Sequence, residues 1–249
     1  MAGRTFAIGD LHGEPDALDV LLSRLPPLDA SDTVVLLGDY LDRGPRSADA
    51  VERVRQLPAR LPAKVVALRG NHEDAWLRVI DDGGCFGFTS PPQNGCLSCM
   101  RSFLADGLEL AEEEALLLLH SGGFFPPDVV EWMRSLPHWY EDDNGLYVHA
   151  GLPERPDGSG FQHPSEVEEP RRLLWLRSRS FFTSYAGKRV VCGHTVTETL
   201  PPELSHYTPE DPADLFWAGG SAYLIDTGCG KGGFLTALEL PSRQVYESR

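Results

Sequence analysis

Asp, His and Asn recur in five short motifs with the donors of a divalent metal centre: Gly9-Asp10-Leu11-His12-Gly13, Gly38-Asp39-Tyr40-Leu41-Asp42-Arg43-Gly44, Gly70-Asn71-His72-Glu73, His149-Ala150-Gly151 and Gly193-His194-Thr195. Carboxylate, amide and imidazole donors together suit borderline ions such as Mn²⁺, Fe²⁺ and Zn²⁺. Any one motif reads equally well as a turn, since Asp and Gly commonly follow strands. All five, each directly after an apolar β-type run, point to one centre. The chemistry that needs such a centre is phosphate-ester hydrolysis. Water is a poor nucleophile at neutral pH, and an anionic phosphate repels hydroxide. Two divalent ions roughly 3.5–4 Å apart answer both obstacles, acidifying a bridging water and neutralising the phosphoryl oxygens. Asp10, Asp39 and a bridging hydroxide would remove about three of their roughly four positive charges, leaving the site positive for substrate.

The elements that must position these residues alternate between strand and helix. Strands are expected at Thr5–Ile8, Thr33–Leu37, Lys64–Leu68, Leu146–Val148 and Arg189–Cys192, each ending at a motif. Three more follow at Tyr223–Ile225, Phe234–Leu240 and Gln244–Glu247, with Gly228 to Gly233 read as a hairpin between the first two. Pro15 opens a helix whose apolar face is Leu18, Leu21, Leu22 and Leu25; Pro45 opens another carrying Val51, Val54 and Leu57; His72 to Ile80 is a third. The pattern predicts an α/β fold with its site outside the carboxyl ends of the strands. Residues 81–137 carry short helices near Cys99–Ala105, Ala111–Leu119 and Asp128–Leu136 and read as a helical cap. Residues 154–170 and 199–220, rich in Pro, Gly and acids, read as loops.

Composition narrows the partners. The 249 residues carry a net charge of −15, which disfavours nucleic acid and anionic membranes. No signal peptide is visible, the longest aliphatic run (Leu116 to Leu119) is far too short to span a bilayer, and the five cysteines are an odd number. A reducing, cytoplasmic compartment is the expectation. Cys96-Leu97-Ser98-Cys99, with Cys85 nearby, has metal-like spacing but no evident fourth ligand, so free cysteines are expected. His120, His138, His163 and His206 are read as surface or structural, and Trp132, Trp139 and Tyr140 as core.

The motif set resembles that of the calcineurin-like metallophosphoesterases, and more narrowly the bacterial and phage branch of the PPP-type serine/threonine protein phosphatases. The tail Leu224-Ile225-Asp226-Thr227-Gly228 is similar to that branch too. The resemblance implies one domain over residues 1–249, a four-layer α-β-β-α sandwich with a di-metal site at the carboxyl ends of the strands. It implies two divalent ions per chain, Mn²⁺ foremost with Fe or Zn as alternatives. Asp10 and His12 would hold the first, Asp39 would bridge, and Asn71, His149 and His194 would complete the second. His72 would be the general acid, oriented by Asp42; Arg43, Arg177 and Asn71 would contact phosphate. These roles agree with the residues' chemistry: a bridge needs a carboxylate, a proton donor near neutral pH suits His, and the arginine fork suits phosphate. Arg69 is read as support for a ligand, and Arg171, Arg172 and Arg179 as a solvated helix face.

The expected reaction is phosphomonoester hydrolysis by a metal-bridging hydroxide, on phosphoserine or phosphothreonine in proteins or on a small phosphate ester. The alternative is a symmetric bis(5'-nucleosyl)-tetraphosphatase of the same fold. In that family Ala usually precedes the arginine of the second motif, and Asp usually ends the third. Asp42-Arg43 and Glu73 therefore place the phosphatase first. A catalytically silent metal-binding scaffold would be expected to carry a broken ligand set, and this one is whole.

Overall fold

A computed structural model describes residues 3–83, 86–105, 108–200 and 220–249. Among these, nine strands form two sheets. In the first, β1 (Thr5–Ile8), β2 (Thr33–Leu36) and β3 (Lys64–Ala67) run parallel, while β8 (Thr236–Leu240) and β9 (Val245–Glu247) add antiparallel in the order β3-β2-β1-β8-β9. In the second, β5 (Leu146–Val148), β6 (Val190–Cys192) and β7 (Ala222–Leu224) are parallel and β4 (Trp139–Glu141) pairs antiparallel with β5.

The sheets pack face to face over a shared cluster: Ala7, Val35, Leu37, Leu68 and Leu238 from one side, Tyr147, Val191, Tyr223 and Ile225 from the other. Strands buried on both faces explain the near-continuous apolar runs. Helices α1 (Pro15–Arg24), α2 (Ser47–Arg60) and α3 (Asn71–Asp82) cover the outer face of the first sheet with Leu18, Leu21, Val51, Val54, Leu57 and Trp76. Short α8 (Arg172–Trp175) and α9 (Arg179–Ser184) cover the second with Leu173, Phe181 and Phe182. The result is the expected four-layer α/β sandwich.

Helices α4 (Phe86–Thr89), α5 (Cys96–Phe103), α6 (Glu112–Ser121) and α7 (Pro127–Ser135) follow α3. They attach through an aromatic cluster in which Trp76 meets Phe88, Phe124 and Phe125 edge-on. No helix among the described residues is long and apolar enough to cross a membrane.

Two expectations change. Residues 228–233 are not a hairpin turn: β7 and β8 belong to different sheets, so the glycine-rich stretch crosses between them, and the hairpin is β8–β9. Apolar runs flanking a Gly cluster look alike in either case. Trp139 and Tyr140 lie at the margin of the core rather than its centre: they are half-buried in the edge strand β4 and pack against the apolar clusters, Tyr140 stacking on Tyr147. The loop expected at 199–220 and the residues Cys85 and His206 lie mostly or wholly outside the described residues.

Candidate metal centre

Six parallel strands deliver polar side chains to one place. Asp10 follows β1, Asp39 follows β2, Asn71 follows β3, His149 follows β5, His194 follows β6 and Asp226 follows β7; all six are buried. Aiming them inward bends the backbone. Of the six non-glycine residues with positive φ among the described residues, five are here: His12 at 46°, Asp39 at 55°, Asp42 at 69°, Arg43 at 65° and His194 at 66°. Such strain persists only where surroundings over-determine it. Here the loops are laced together: Leu11 and His12 amides donate to the Asp39 carbonyl, and the Gly44 amide to the His12 carbonyl. A Cβ at Gly193 would sit 2.0 Å from Asp10 Oδ1, and one at Gly70 2.2 Å from Asp39 Oδ1, so close approach requires glycine at both.

Asp39 lies at the centre. Its Oδ2 is 3.5 Å from His12 Nε2, and its Oδ1 is 3.5 Å from His149 Nε2. Two metal-capable groups share it: His12, Asp39 and His72 on one side, and Asp39, His149 and His194 on the other. Asp10 Oδ2 stands 3.9 Å from His12 Nε2. The Asp39 carboxylate also accepts the His72 amide at the N-terminus of α3, where backbone N–H groups favour an anion.

The donor chemistry fits cations. His12 Nδ1 is committed to the Leu41 carbonyl at 2.8 Å and His149 Nδ1 to the Leu37 carbonyl at 2.8 Å. The remaining Nε2 of each neutral ring therefore presents a lone pair inward. His12 Nε2 is buried without a hydrogen-bond partner. His149 Nε2 and His194 Nδ1 both face the Asn71 Oδ1 acceptor, at 2.9 and 2.7 Å. Convergent lone pairs of this kind suit a metal ion. Burial holds all three histidines below the ordinary imidazole range, His194 to about 2, so they stay unprotonated and able to ligate. Burial, Asp226 and Asp39 together push Asp10 well up, and burial raises Asp226 to about 6. This crowd of buried acids needs positive charge to remain ionised. For Asp39, burial is outweighed by His149, His72 and His12, and its pKa falls.

His72 is arranged differently. Nδ1 lies 2.6 Å from Asp42 Oδ2, and Trp76 Nε1 donates to both oxygens of Asp42 at 3.0 Å. Burial opposes its protonation, but Asp39 and Asp42 outweigh burial and raise its pKa. Arg43 Nη2 is 3.2 Å from His72 Nε2, while Arg43 Nε and Nη1 are buried without partners. Arg177, at the exposed mouth, donates to the His194 carbonyl and to Thr195 Oγ1.

Sequence reasoning assigned no role to Glu73, Trp76 or Asp226. Glu73 Oε2 accepts the amides of Asp39 and Gly70 at 2.9 Å, and Oε1 accepts those of Tyr40 and Leu41 at 2.8 and 3.4 Å. It thus clamps the second motif to the third. Burial and Asp39 raise it to about 7 against the Tyr40 and Asp39 amides and His72. Asp226 had a visible signal, an Asp-Thr-Gly after an apolar run. Arg69 Nη2 donates to the Arg134 carbonyl at the end of α7. Arg171 is not merely solvated, since it pairs with Asp74 at 2.7 Å. Cys96 and Cys99 are free and buried on α5.

The family described as calcineurin-like phosphoesterase matches residues 3–198. The chain is 30% identical over 168 residues to the symmetrical bis(5'-nucleosyl)-tetraphosphatase of Paracidovorax citrulli, covering 66% of this chain and 50% of that protein. It thus spans about half the length of that relative. Against the protein of the same description from Chromohalobacter salexigens it is 27% identical over 97% of this chain and 96% of the relative. Against serine/threonine-protein phosphatase 2 of Escherichia coli it is 27% identical, covering 68% and 66%. A metallophosphoesterase structure from Sphaerobacter thermophilus superposes with a TM-score of 0.53 at 17% identity, over 98% of this chain and 87% of that one, a likeness of fold.

Proposed function

This chain belongs to the calcineurin-like phosphoesterase family, and from that premise we propose that it cleaves dinucleoside tetraphosphates symmetrically into two nucleoside diphosphates. That it is a metal-dependent phosphoester hydrolase follows from the family and the two His/Asp groups. For the finer reading, support comes from the relatives described as symmetrical tetraphosphatases, one of them matched over nearly its whole length. They reverse the order that Asp42-Arg43 and Glu73 suggested.

Asp10, His12 and Asp39 would hold one divalent ion, and Asp39, Asn71, His149 and His194 the other. His12, Asp39 and His72 are mutually close, but we assign Asp10 rather than His72 as a ligand, because both His72 nitrogens already have partners. Bound divalent ions would neutralise phosphoryl oxygens and acidify the attacking water. Arg43 and Arg177 would hold phosphate oxygens, with Asn71 beside them. His72, oriented by Asp42, would give its proton to the leaving oxygen. In the proposed reaction the oxygen of water bonds to one inner phosphorus. The bond from that phosphorus to the central bridging oxygen breaks, and that oxygen departs on the second diphosphate. The chain is proposed to act as one domain, with residues 81–137 as a cap.

The Asp42–His72 pair favours a second reading. A built proton donor is most useful to an alkoxide leaving group, as in phosphoserine or phosphothreonine, and the relative from Escherichia coli is described as such a phosphatase. The test compares kcat/KM for diadenosine tetraphosphate and a phosphothreonine peptide at one pH with Mn²⁺. The dinucleotide is expected to lead by more than about tenfold, ~1.4 kcal/mol of transition-state preference. A lead for the peptide installs the second reading.

A further inference from the structure

A cavity of about 520 Å³ opens beside the centre, between Arg43 and helices α4 to α6. Its size is within the roughly 300–1,000 Å³ of small-molecule sites. One wall is apolar, formed by Pro91, Leu97, Leu116 and Leu119; Arg43 and Arg101 bring positive charge. Arg101 is exposed, and no carboxylate pairs with it among the described residues of a chain whose net charge is −15. Arg43 carries the second observation: its Nε and Nη1 are buried donors without partners, which calls for acceptor oxygens.

The cavity has a definite side. Arg43 Nη2 contacts His72 Nε2, and Phe88, which precedes the lining residue Thr89, meets the His72 ring edge-on at 5.4 Å. The space therefore adjoins the proposed proton donor, where a leaving group departs. Its placement is fixed by backbone contacts. The Arg43 amide donates to the Asn94 carbonyl, and a Cβ on Gly95 would lie 2.1 Å from the Arg43 nitrogen.

We propose that this cavity is the subsite for the leaving nucleoside diphosphate, with Arg43 and Arg101 along its phosphates and the Leu97–Leu116 wall against its base. The inference rests on the dinucleotide reading above and names the residues that would select that substrate. Arg101 is a specificity residue in this account, not a catalytic one.

The test measures binding, so it does not depend on which substrate is turned over. ADP and inorganic phosphate are titrated separately by calorimetry into Mn²⁺-loaded wild type, Arg101→Glu and Leu116→Asp, in excess Mn²⁺. Both side chains are exposed, so folding should survive, and the phosphate titration reports an intact centre. ADP affinity should fall at least about tenfold in Arg101→Glu and measurably in Leu116→Asp, with phosphate affinity within about twofold of wild type in both. Equal ADP affinity in wild type and Arg101→Glu overturns the subsite, as does wild-type protein that binds ADP no better than phosphate. If ADP binding shifts as expected while the phosphopeptide is the better substrate, the dinucleotide reading fails and takes the leaving-group assignment with it, leaving the cavity only as a nucleotide-binding site.

Discussion

At the carboxyl ends of the parallel strands, Asp10, His12, Asp39, Asn71, His149 and His194 are all buried, and their loops are tied by backbone hydrogen bonds at strained φ. Across the site, α6 leaves Leu116 exposed and Leu117 70% exposed, and the neighbouring helices are short. The first region can tolerate little, because each side chain answers to several partners at fixed distances. The second needs only to present a wall of suitable shape and charge. On the readings proposed above, reaction chemistry is held by the first region, and choice of substrate is left to the second.

The largest break expected inside the first region short of metal loss is His72→Ala. Turnover on a phosphothreonine peptide should fall roughly 10²–10⁴-fold with metal content unchanged. The loss should shrink on p-nitrophenyl phosphate, whose leaving group needs no proton. Equal losses on both substrates, measured by steady-state kinetics, would remove the proton-donor role.

Arg177→Ala should cost less. One charge-assisted hydrogen bond is worth about 1.5–3 kcal/mol, so kcat/KM should drop at least about tenfold. Inorganic phosphate should inhibit more weakly. An unchanged phosphate inhibition constant would detach Arg177 from the substrate.

Glu73→Gln sharpens the comparison on stability alone. The amide keeps one acceptor oxygen and turns an NH₂ toward backbone N–H groups that Glu73 now receives. Urea unfolding should report a loss of about 2–3 kcal/mol. Leu117→Ser, in the second region, should stay within about 0.5 kcal/mol of wild type. If the two variants were equally stable, the contrast between the regions would collapse.

The same contrast explains what the sequence made legible. Strands β1, β2, β5 and β6 were readable because burial on both faces demands apolar runs, and the half-exposed edge strand β3 because its Val65-Val66-Ala67 run leads into the Gly70-Asn71-His72-Glu73 motif; all five ends were marked by metal-type donors. Strand β4 was not, since Trp139–Glu141 is half-buried on an edge and carries no clear alternation. The glycine cluster at 228–233 misled because local sequence does not say which sheet the next strand joins. The clamp by Glu73 links residues more than thirty positions apart, so no spacing rule reveals it. Arg101 and the leucines of α6 had no signal at all: their meaning comes from the cavity they share, and similar residues elsewhere are simply surface.

The central claim is that Asp39 joins two metal sites, and metal stoichiometry tests it most directly. Metal-free protein is titrated with Mn²⁺ by calorimetry, with activity followed on an aryl phosphate. Wild type should bind two ions per chain and reach full activity only as the second site fills. Asp39→Asn should keep its fold by circular dichroism, lose tight binding of the second ion and be nearly inactive. Two tightly bound ions with wild-type turnover in Asp39→Asn, or full wild-type activity in excess chelator, would contradict the account.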